Sequence, residues 1–268
     1  MLSRMPPRQL ISSLVAASLV VASSLAATPA IAQTPAQPAP PPAAPPPPPP
    51  IWTVSASAGW SFTQGNSDTS SVNLGYNIVY DPQKKNVIKS DGLFLRTKDH
   101  GEVSADRLGL NGRDEYKLTD RAYVFGQVQY LRDQFKDIDY LVAPTAGLGY
   151  KLIKEPNTEL AVDGGAGVTW EKDTGLGLDT SGAVMFGDKF TQKLSANATL
   201  TQTFSALWKT RDFGDALYIT GLSLAAGLTT HTQLKIEWLD TYKRKPPSPA
   251  IQPNDNVIVF ALVFKNGK

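Results

Sequence analysis

From residue 52 to residue 264, apolar and polar side chains alternate with a period of two. The pattern is clearest in residues 52–64, where Trp, Val, Ala, Ala, Trp and Phe hold the even positions and Thr, Ser and Gly hold the odd ones. Successive side chains of a strand point to opposite faces, so this segment predicts a strand with one apolar and one polar face. Candidate turns rich in Gly, Asn, Asp and Pro separate the repeats of the pattern. The twelve candidate strands are residues 52–64, 71–80, 87–97, 106–118, 121–131, 140–152, 159–171, 180–187, 194–206, 216–226, 233–242 and 256–264.

Residues 1–32 have the composition of a cleaved signal peptide. Two arginines precede an apolar run without charge from Leu10 to Ala27, and Ala30-Ile31-Ala32 supplies the small-x-small pattern that signal peptidase recognises. The alternative, a transmembrane helix, is disfavoured because serines interrupt the run and a cleavage site follows it. We therefore predict export across the inner membrane of a Gram-negative cell.

Residues 33–51 form a linker made almost entirely of proline and alanine. Proline has no N–H and pushes the residue before it into extended geometry, so this segment cannot join a sheet and is expected to be an extended spacer. Residues 52–268 are left as a single β-domain.

Charge and cysteine content exclude several functions. The chain has 26 basic and 24 acidic residues, and removing Arg4 and Arg8 with the signal leaves 24 of each, which is formally neutral. A neutral domain has no basic field for nucleic acid. With no cysteine, disulfides, thiolate metal sites and a lipidated cysteine are excluded.

Three features favour a membrane-spanning barrel over a soluble β-sandwich. The first is the export signal. The second is a set of aromatic residues near the strand ends on the apolar face, which predicts two interfacial girdles. One girdle would contain Trp52, Tyr80, Tyr116 and Tyr150, and the other Trp60, Tyr130, Tyr140, Trp170 and Tyr242. The third is the alternation of Phe260, Leu262 and Phe264, which is similar to the C-terminal assembly signal of outer-membrane barrels, although four residues follow it here.

Lipid offers no hydrogen bonds, so a sheet in the membrane must close on itself. We predict an all-β, antiparallel up-and-down barrel of about twelve strands in the outer membrane, with both termini periplasmic. The periplasmic turns would be residues 81–86, 119–120, 154–158, 187–192 and 228–230, and the longer extracellular loops residues 65–68, 98–104, 132–139, 172–179, 208–215 and 243–255. Pro144 falls inside a predicted strand and requires a bulge or a local break in pairing, and the glycine-rich residues 147–149 and 164–167 indicate crowded strands. Its expected partners are outer-membrane lipids, lipopolysaccharide and, through the C-terminal strand, the barrel-assembly machinery. The pattern fixes no oligomeric state.

Several motifs in the middle of the chain resemble one known family. They are Asp106-Arg107, the segment from Glu115 to Arg121, Tyr130-Leu131-Arg132-Asp133-Gln134-Phe135, Ile138-Asp139-Tyr140 and Gly147-Leu148-Gly149-Tyr150. Over residues 54–264 the chain resembles the salt-induced outer-membrane proteins, a YdiY-like domain of unknown function. The resemblance implies an outer-membrane barrel and a link to salt stress. It implies no substrate and no catalytic residues.

The polar face of the strands is where function is expected. The charged residues predicted to face the lumen are Arg107, Arg113, Glu115, Asp163, Lys235 and Glu237. Opposite charges in a lumen either pair and plug it or line a narrow polar path. Barrels of about 8 strands are filled by side chains and those of 16–18 leave a channel, so twelve strands leave both outcomes open.

The catalytic alternatives are weak. His100 lies in a predicted outer loop with Asp99, Glu102 and Ser104, a set found in barrel hydrolases and equally in any exposed turn. His231 falls in a predicted turn between threonines. Glu171, Asp173 and Asp179 have no calcium-loop spacing, and the glycine-rich segments open no helix, so no metal and no cofactor is predicted.

Three hypotheses follow. The first is a non-enzymatic outer-membrane barrel that acts as a narrow passive pore or as a structural, stress-related protein. The second is an outer-membrane hydrolase using His100. The third is a secreted soluble β-protein that binds a ligand.

Overall fold

The structure, a computed structural model, describes residues 50–63, 69–249 and 251–266. The predicted signal peptide and nearly all of the linker lie outside these residues. No helix in the described ranges is long and apolar enough to cross a membrane. The strands are β1 (Trp52–Thr63), β2 (Thr69–Tyr80), β3 (Asn86–Asp99), β4 (Glu102–Lys117), β5 (Ala122–Asp133), β6 (Ile138–Lys154), β7 (Thr158–Asp173), β8 (Leu178–Lys193), β9 (Ala198–Lys209), β10 (Asp212–Gly227), β11 (Thr232–Lys243) and β12 (Asn254–Asn266). A short 3₁₀ helix, Gln134–Lys136, lies between β5 and β6.

The strands form one closed antiparallel barrel, in which each strand pairs with its neighbours in sequence and β12 returns to β1. The closing seam consists of five residue pairs, from Val54 with Asn266 to Ala58 with Leu262. Only the first half of β1 meets β12, as the stagger of a closed barrel requires. The prediction of about twelve antiparallel strands is confirmed.

The period of two places apolar side chains on the outside of the barrel. Trp60, Leu148 and Ile258 are 65%, 64% and 62% exposed. Large exposed apolar side chains occur on β1–β8 and on β10–β12, so they extend around most of the wall. In a soluble protein this surface would be an aggregation site. A continuous apolar exterior on a closed barrel is the arrangement of a transmembrane β-barrel.

We call the two ends of the barrel the turn rim and the loop rim. The turn rim carries residues 81–85, 118–121, 155–157, 194–197 and 228–231 together with both ends of the barrel chain, and the described connections at the loop rim are residues 100–101, 134–137, 174–177, 210–211, 244–249 and 251–253. The sequence prediction made the loop rim the extracellular end.

The predicted turn at residues 187–192 is wrong, since β8 continues through it to Lys193. Its polar composition looked like a turn, but Lys189 and Thr191 face the interior while Phe190 pairs with Leu160 outside. The turn lies at residues 194–197, so β9 starts at Ala198 and not at Leu194. Leu200, expected near mid-strand, is therefore close to the turn rim.

Most loops of the loop rim are shorter than the sequence predicted. The hairpin predicted over residues 98–104 is a two-residue turn at His100 and Gly101, both with positive φ (50° and 84°), as a tight hairpin of this kind requires. The loop predicted over residues 208–215 has only residues 210 and 211 outside strands, with a register shift between Asp212 and Ala216. Polar inward-facing residues at strand ends were mistaken for loop residues. Among the connections that the structure describes at this rim, the one between Lys243 and Asn254 is the longest.

Pro144 lies within β6, where the sequence required either a bulge or a local break in pairing. It pairs with Val128 of β5, whereas the register with β7 passes from Val142–Trp170 to Thr145–Gly167 without pairing Pro144. The register is the same on both sides of this gap, so the local break is what occurs. The missing N–H of proline is thereby accommodated.

Candidate functional site in the barrel interior

A cluster of charged side chains lies inside the barrel near the turn rim, and Arg113 is its centre. The Arg113 guanidinium donates to Glu115 Oε1 at 2.8 Å and to Gln127 Oε1 at 2.8 Å. It also forms an ion pair with Asp163 Oδ2 at 3.0 Å. Lys89 Nζ reaches the other oxygen of Glu115 at 2.7 Å. We call these five residues the turn-rim cluster.

Aromatic rings fix the position of Arg113. Its guanidinium carbon lies 3.9 Å from the centroid of the Phe125 ring, a cation–π contact. The Tyr123 hydroxyl donates to Asp163 Oδ1 at 2.7 Å. A side chain at Gly149 would collide with the Tyr123 ring, so glycine there makes room for it. The glycine-rich stretch of β6 is therefore a packing device, in agreement with the sequence interpretation of crowded glycines.

A second cluster lies inside the barrel near the loop rim. Lys209 Nζ contacts Glu171, Asp215 and Asp179 at 2.7, 2.8 and 3.0 Å. Lys243 Nζ donates to Glu171 and lies 3.4 Å from Asp173. The side chains of Glu171 and Lys243 are only 2% and 3% exposed. We call these six residues the loop-rim cluster.

The loop-rim cluster crosses the lumen. Glu171 is on β7 and Lys243 on β11, four strands apart in a ring of twelve, so their ion pair spans a chord of the barrel. The space left beside it, between Ile138 and Leu217, is about 10 Å³. That is roughly the room for one water molecule. This side of the loop rim is therefore filled.

Lys136 closes the same rim from the 3₁₀ helix. Its side chain is fully buried, donates to the carbonyl of Gln252 at 2.7 Å and pairs with Asp255 at 2.9 Å. Gln252 belongs to the long loop between β11 and β12, so this contact holds the loop close to the end of β5. A buried lysine with two partners is an anchor and not a solvated loop residue.

Arg107 lies on the other side of the loop rim. It is on β4 and donates to the hydroxyl of Thr241 on β11, five strands away around the closing seam. A space of about 120 Å³ remains beside Arg107, between Asp133 and Asp255. This space has a larger volume than the one beside Glu171 and Lys243 at the same rim.

The remaining predicted lumen residues lie near the middle of the barrel. Lys235 and Glu237 of β11 form an ion pair at 2.7 Å. They line a cavity of about 570 Å³ that occupies the interior between the two clusters. The structure thus places all six predicted residues inside, in three groups: Arg113, Glu115 and Asp163 together, Lys235 with Glu237, and Arg107 apart.

The predicted aromatic residues all lie on the outer face. Trp52 and Tyr80 pair across β1 and β2 at the turn rim with ring centroids 4.5 Å apart. Trp170 and Tyr242, 40% and 37% exposed, lie towards the loop rim. The outward aromatics Phe186, Phe204, Trp208 and Tyr218, which form a connected patch with Tyr242, were assigned to neither girdle from the sequence. Trp208 fell within the loop predicted over residues 208–215. Phe260 and Phe264 of the predicted assembly signal also face outward and are half exposed.

The two histidines and the acidic residues of β7 and β8 do not build a catalytic or metal site. His100 Nδ1 lies 2.7 Å from Asp99 Oδ1, and both side chains are more than half exposed at the tip of a hairpin. His231 lies in a turn, beside the carbonyl of Lys265. Glu171, considered above for calcium, forms ion pairs with Lys209 and Lys243 inside the barrel. Within the described residues no group of His, Asp or Glu has the geometry of a metal site.

Lys209, Asp215, Lys243, Lys136 and Lys189 are interior residues that the sequence analysis did not single out. The alternation of apolar and polar residues could have placed Lys209 and Lys243 inside the barrel, because each continues the polar face of its strand. The pairs that Lys209 and Lys243 form with Glu171 join strands that are not neighbours, and no local pattern reports such pairs.

A largely apolar exterior, a closed ladder and charged clusters in the interior define the class of this protein, a membrane-spanning β-barrel. The chain belongs to the family described as "Protein of unknown function, DUF481", whose model matches residues 56–265. It is 26% identical over 175 residues to "Uncharacterized protein YdiY" of Escherichia coli (strain K12), covering 65% of this chain and 67% of that protein. The predicted resemblance is confirmed.

Solved barrels are similar in outline. The NanC porin gives a TM-score of 0.48 at 11% identity, covering 81% of this chain and 99% of that chain. The translocator domain of the autotransporter NalP from Neisseria meningitidis gives 0.46 at 14% identity, covering 81% and 88%. The KdgM porin in complex with disordered oligogalacturonate gives 0.45 at 5% identity, covering 81% and 99%. Because each score is below 0.5, the twelve-stranded fold rests on the strand pairing described above.

Proposed function

We propose that this protein is a non-enzymatic outer-membrane barrel with a constricted lumen, a narrow passage in place of a general diffusion pore. The observation that carries the proposal is the loop-rim cluster, in which Glu171 joins Lys243 across the lumen. Twelve strands lie between the roughly 8 of barrels filled by side chains and the roughly 16–18 of open channels, so the side chains that cross the lumen decide whether solutes pass. The space beside Arg107 is the remaining route at this rim.

The two other hypotheses have less support. A hydrolase would need a nucleophile or activated water held beside the base in an enclosed site. The pair formed by His100 and Asp99 is exposed at a hairpin tip. A soluble β-protein would not present aliphatic and aromatic side chains around its entire outer wall. A link to salt stress stays a prediction from the family resemblance.

Electrical recordings test the constriction directly. The purified barrel in a planar lipid bilayer should show small unitary conductance, and liposomes containing it should swell in arabinose but not in the tetrasaccharide stachyose. Swelling in stachyose at the rate of a general porin would overturn the proposal.

A paired variant identifies the constriction. Glu171→Ser combined with Lys243→Ser removes both partners at once, so no buried charge is left alone, and conductance should rise severalfold. The matched control is Asp212→Ser combined with Lys245→Ser, an ion pair at the same rim whose side chains are half exposed. Equal conductance in the two double variants would mean that the loop-rim cluster does not limit flow.

A further inference from the structure

The interior cavity of about 570 Å³ differs from a water-filled lumen in the chemistry of its wall. Porin-like barrels have polar interiors, because apolar side chains facing water lose the benefit of burial. Here one side of the cavity, from β9 to β12, presents Leu207, Leu217, Ile219, Leu239 and Val259. Leu217 of β10 pairs with Leu207 of β9, Ile219 is the next inward position of β10, and Leu239 of β11 pairs with Gly221, the inward position after that.

The part of the wall that continues from β12 into β1 and β2 is polar. Strands β1 and β2 contribute Ser55, Ser57, Asn73 and Asn77. Asn111 of β4 donates to Asp91 Oδ1 at 3.2 Å, and its own buried carbonyl oxygen has no hydrogen-bond partner within the part of the chain that the structure describes. A buried unpartnered acceptor beside a cavity indicates a missing donor there, from a ligand or from water.

The charged residues that line the cavity include one more basic residue than acidic residues. Three basic residues, Arg107, Lys189 and Lys235, face two acidic ones, Asp91 and Glu237, a formal balance of +3 against −2. Lys235 is paired with Glu237, and Arg107 donates to Thr241. Asp91 accepts from Asn111.

Lys189 is the cavity-lining cation that makes no ion pair and no hydrogen bond within the described residues, whereas Arg107 donates to Thr241. Acidic groups, Asp91 among them, act on Lys189 from beyond the 4.0 Å of an ion pair. Its side chain faces inward on β8 and is nevertheless exposed, because the cavity surrounds it. Attraction between this ammonium group and an anion is strengthened by the low-dielectric wall of the barrel.

We infer that the cavity between the two clusters is a binding site for one small organic anion with an apolar body, such as a short aliphatic carboxylate. The apolar body lies against the aliphatic wall of β9–β12, and the carboxylate lies at Lys189. The volume falls within the range of pockets that hold a single small molecule. An apolar wall combined with a few placed polar groups is the usual composition of such pockets.

Calorimetric titration of the whole barrel in detergent tests the inference, with hexanoate as the probe and empty micelles as the blank. Wild-type protein should bind hexanoate saturably. Acetate lacks the apolar body and hexylamine carries the opposite charge, so both should bind at least about tenfold more weakly. Calorimetry reports binding whether or not the barrel conducts, so a failure here is distinct from a failure of the proposed constriction.

A matched pair of variants locates the site. Lys189→Gln should weaken hexanoate binding by about tenfold. Lys193→Gln makes the same change on the same strand at the turn rim, outside the cavity wall, and should leave binding as in the wild type. Both variants should retain the gel-mobility difference between boiled and unboiled samples, which shows that the barrel is folded. The inference is overturned by the absence of saturable binding, by equal affinity in the two variants, or by acetate or hexylamine matching hexanoate.

Discussion

The two charged clusters inside the barrel differ in how far they reach across the lumen. In the turn-rim cluster Lys89, Glu115 and Gln127 lie on the adjacent strands β3, β4 and β5, and Arg113 of β4 reaches across to Asp163 of β7. In the loop-rim cluster Glu171 of β7 joins Lys209 of β9 and Lys243 of β11, so a single carboxylate connects three strands that are not neighbours. The first cluster therefore mainly ties adjacent strands together, whereas the second is centred on a link across the lumen. Their difference in burial agrees, since Lys89 is 38% exposed and Lys243 is 3% exposed.

The largest effect is expected from Glu171→Ala in the loop-rim cluster. The change leaves Lys243 with Asp173 alone, and an incompletely paired buried lysine should lower the free energy of unfolding by about 3–5 kcal/mol. Urea unfolding in lipid vesicles, followed by gel mobility, measures the loss. Glu159→Ala is the control, because its pair with Lys151 is 47% exposed on the glutamate side and is worth at most about 1 kcal/mol. Equal losses would remove the contrast between buried and exposed pairs.

The next largest loss in the free energy of unfolding is expected from a charge placed on the outer wall between the two rims. Val128 lies in the middle of β5, is 49% exposed and faces outward, so Val128→Arg should cost about 2–4 kcal/mol in a bilayer. Gln129→Arg places the same side chain on the neighbouring residue, which lines the interior cavity, and should cost little. The same vesicle unfolding assay measures both. A similar cost at the two positions would mean that the outer wall does not face lipid.

A smaller loss is expected for Glu115→Ala in the turn-rim cluster. Arg113 keeps Asp163 and Gln127, and Lys89 is partly hydrated, so the change removes charged hydrogen bonds without stranding a buried charge. The expected cost is about 1–2 kcal/mol. If Glu115→Ala is as damaging as Glu171→Ala, the two clusters are energetically alike and the comparison fails.

The smallest effect is expected for His100→Ala. The side chain is 63% exposed and its only close contact among the described residues is with the adjacent Asp99. Neither unfolding nor conductance should change measurably. Esterase and protease assays on the parent protein should show no activity to lose. Activity in the parent that disappears in the variant would revive the hydrolase hypothesis.

Strand interiors were predictable and strand ends were not. Residues 52–63 alternate so regularly that both the strand and its outward face could be assigned from the sequence. At the end of β8, Lys189 and Thr191 face the interior, so the strand end carries the polar composition of a turn. The inside of this barrel is itself polar, which removes the contrast in hydropathy that normally marks where a strand stops. The errors at residues 187–192 and 208–215 share this cause.

The sequence by itself determined the number of strands, the face each side chain takes and the membrane as the surrounding medium, because a period of two is a local property of the backbone. The six predicted lumen charges all followed from it. Only the closed structure decided which charges meet. Glu171 and Lys243 are 72 residues apart and on strands that never pair, and they come together because stagger and curvature bring two walls to the same height in one lumen. The cavity beside Lys189 has the same origin, since its wall combines side chains from strands that are far apart in the sequence.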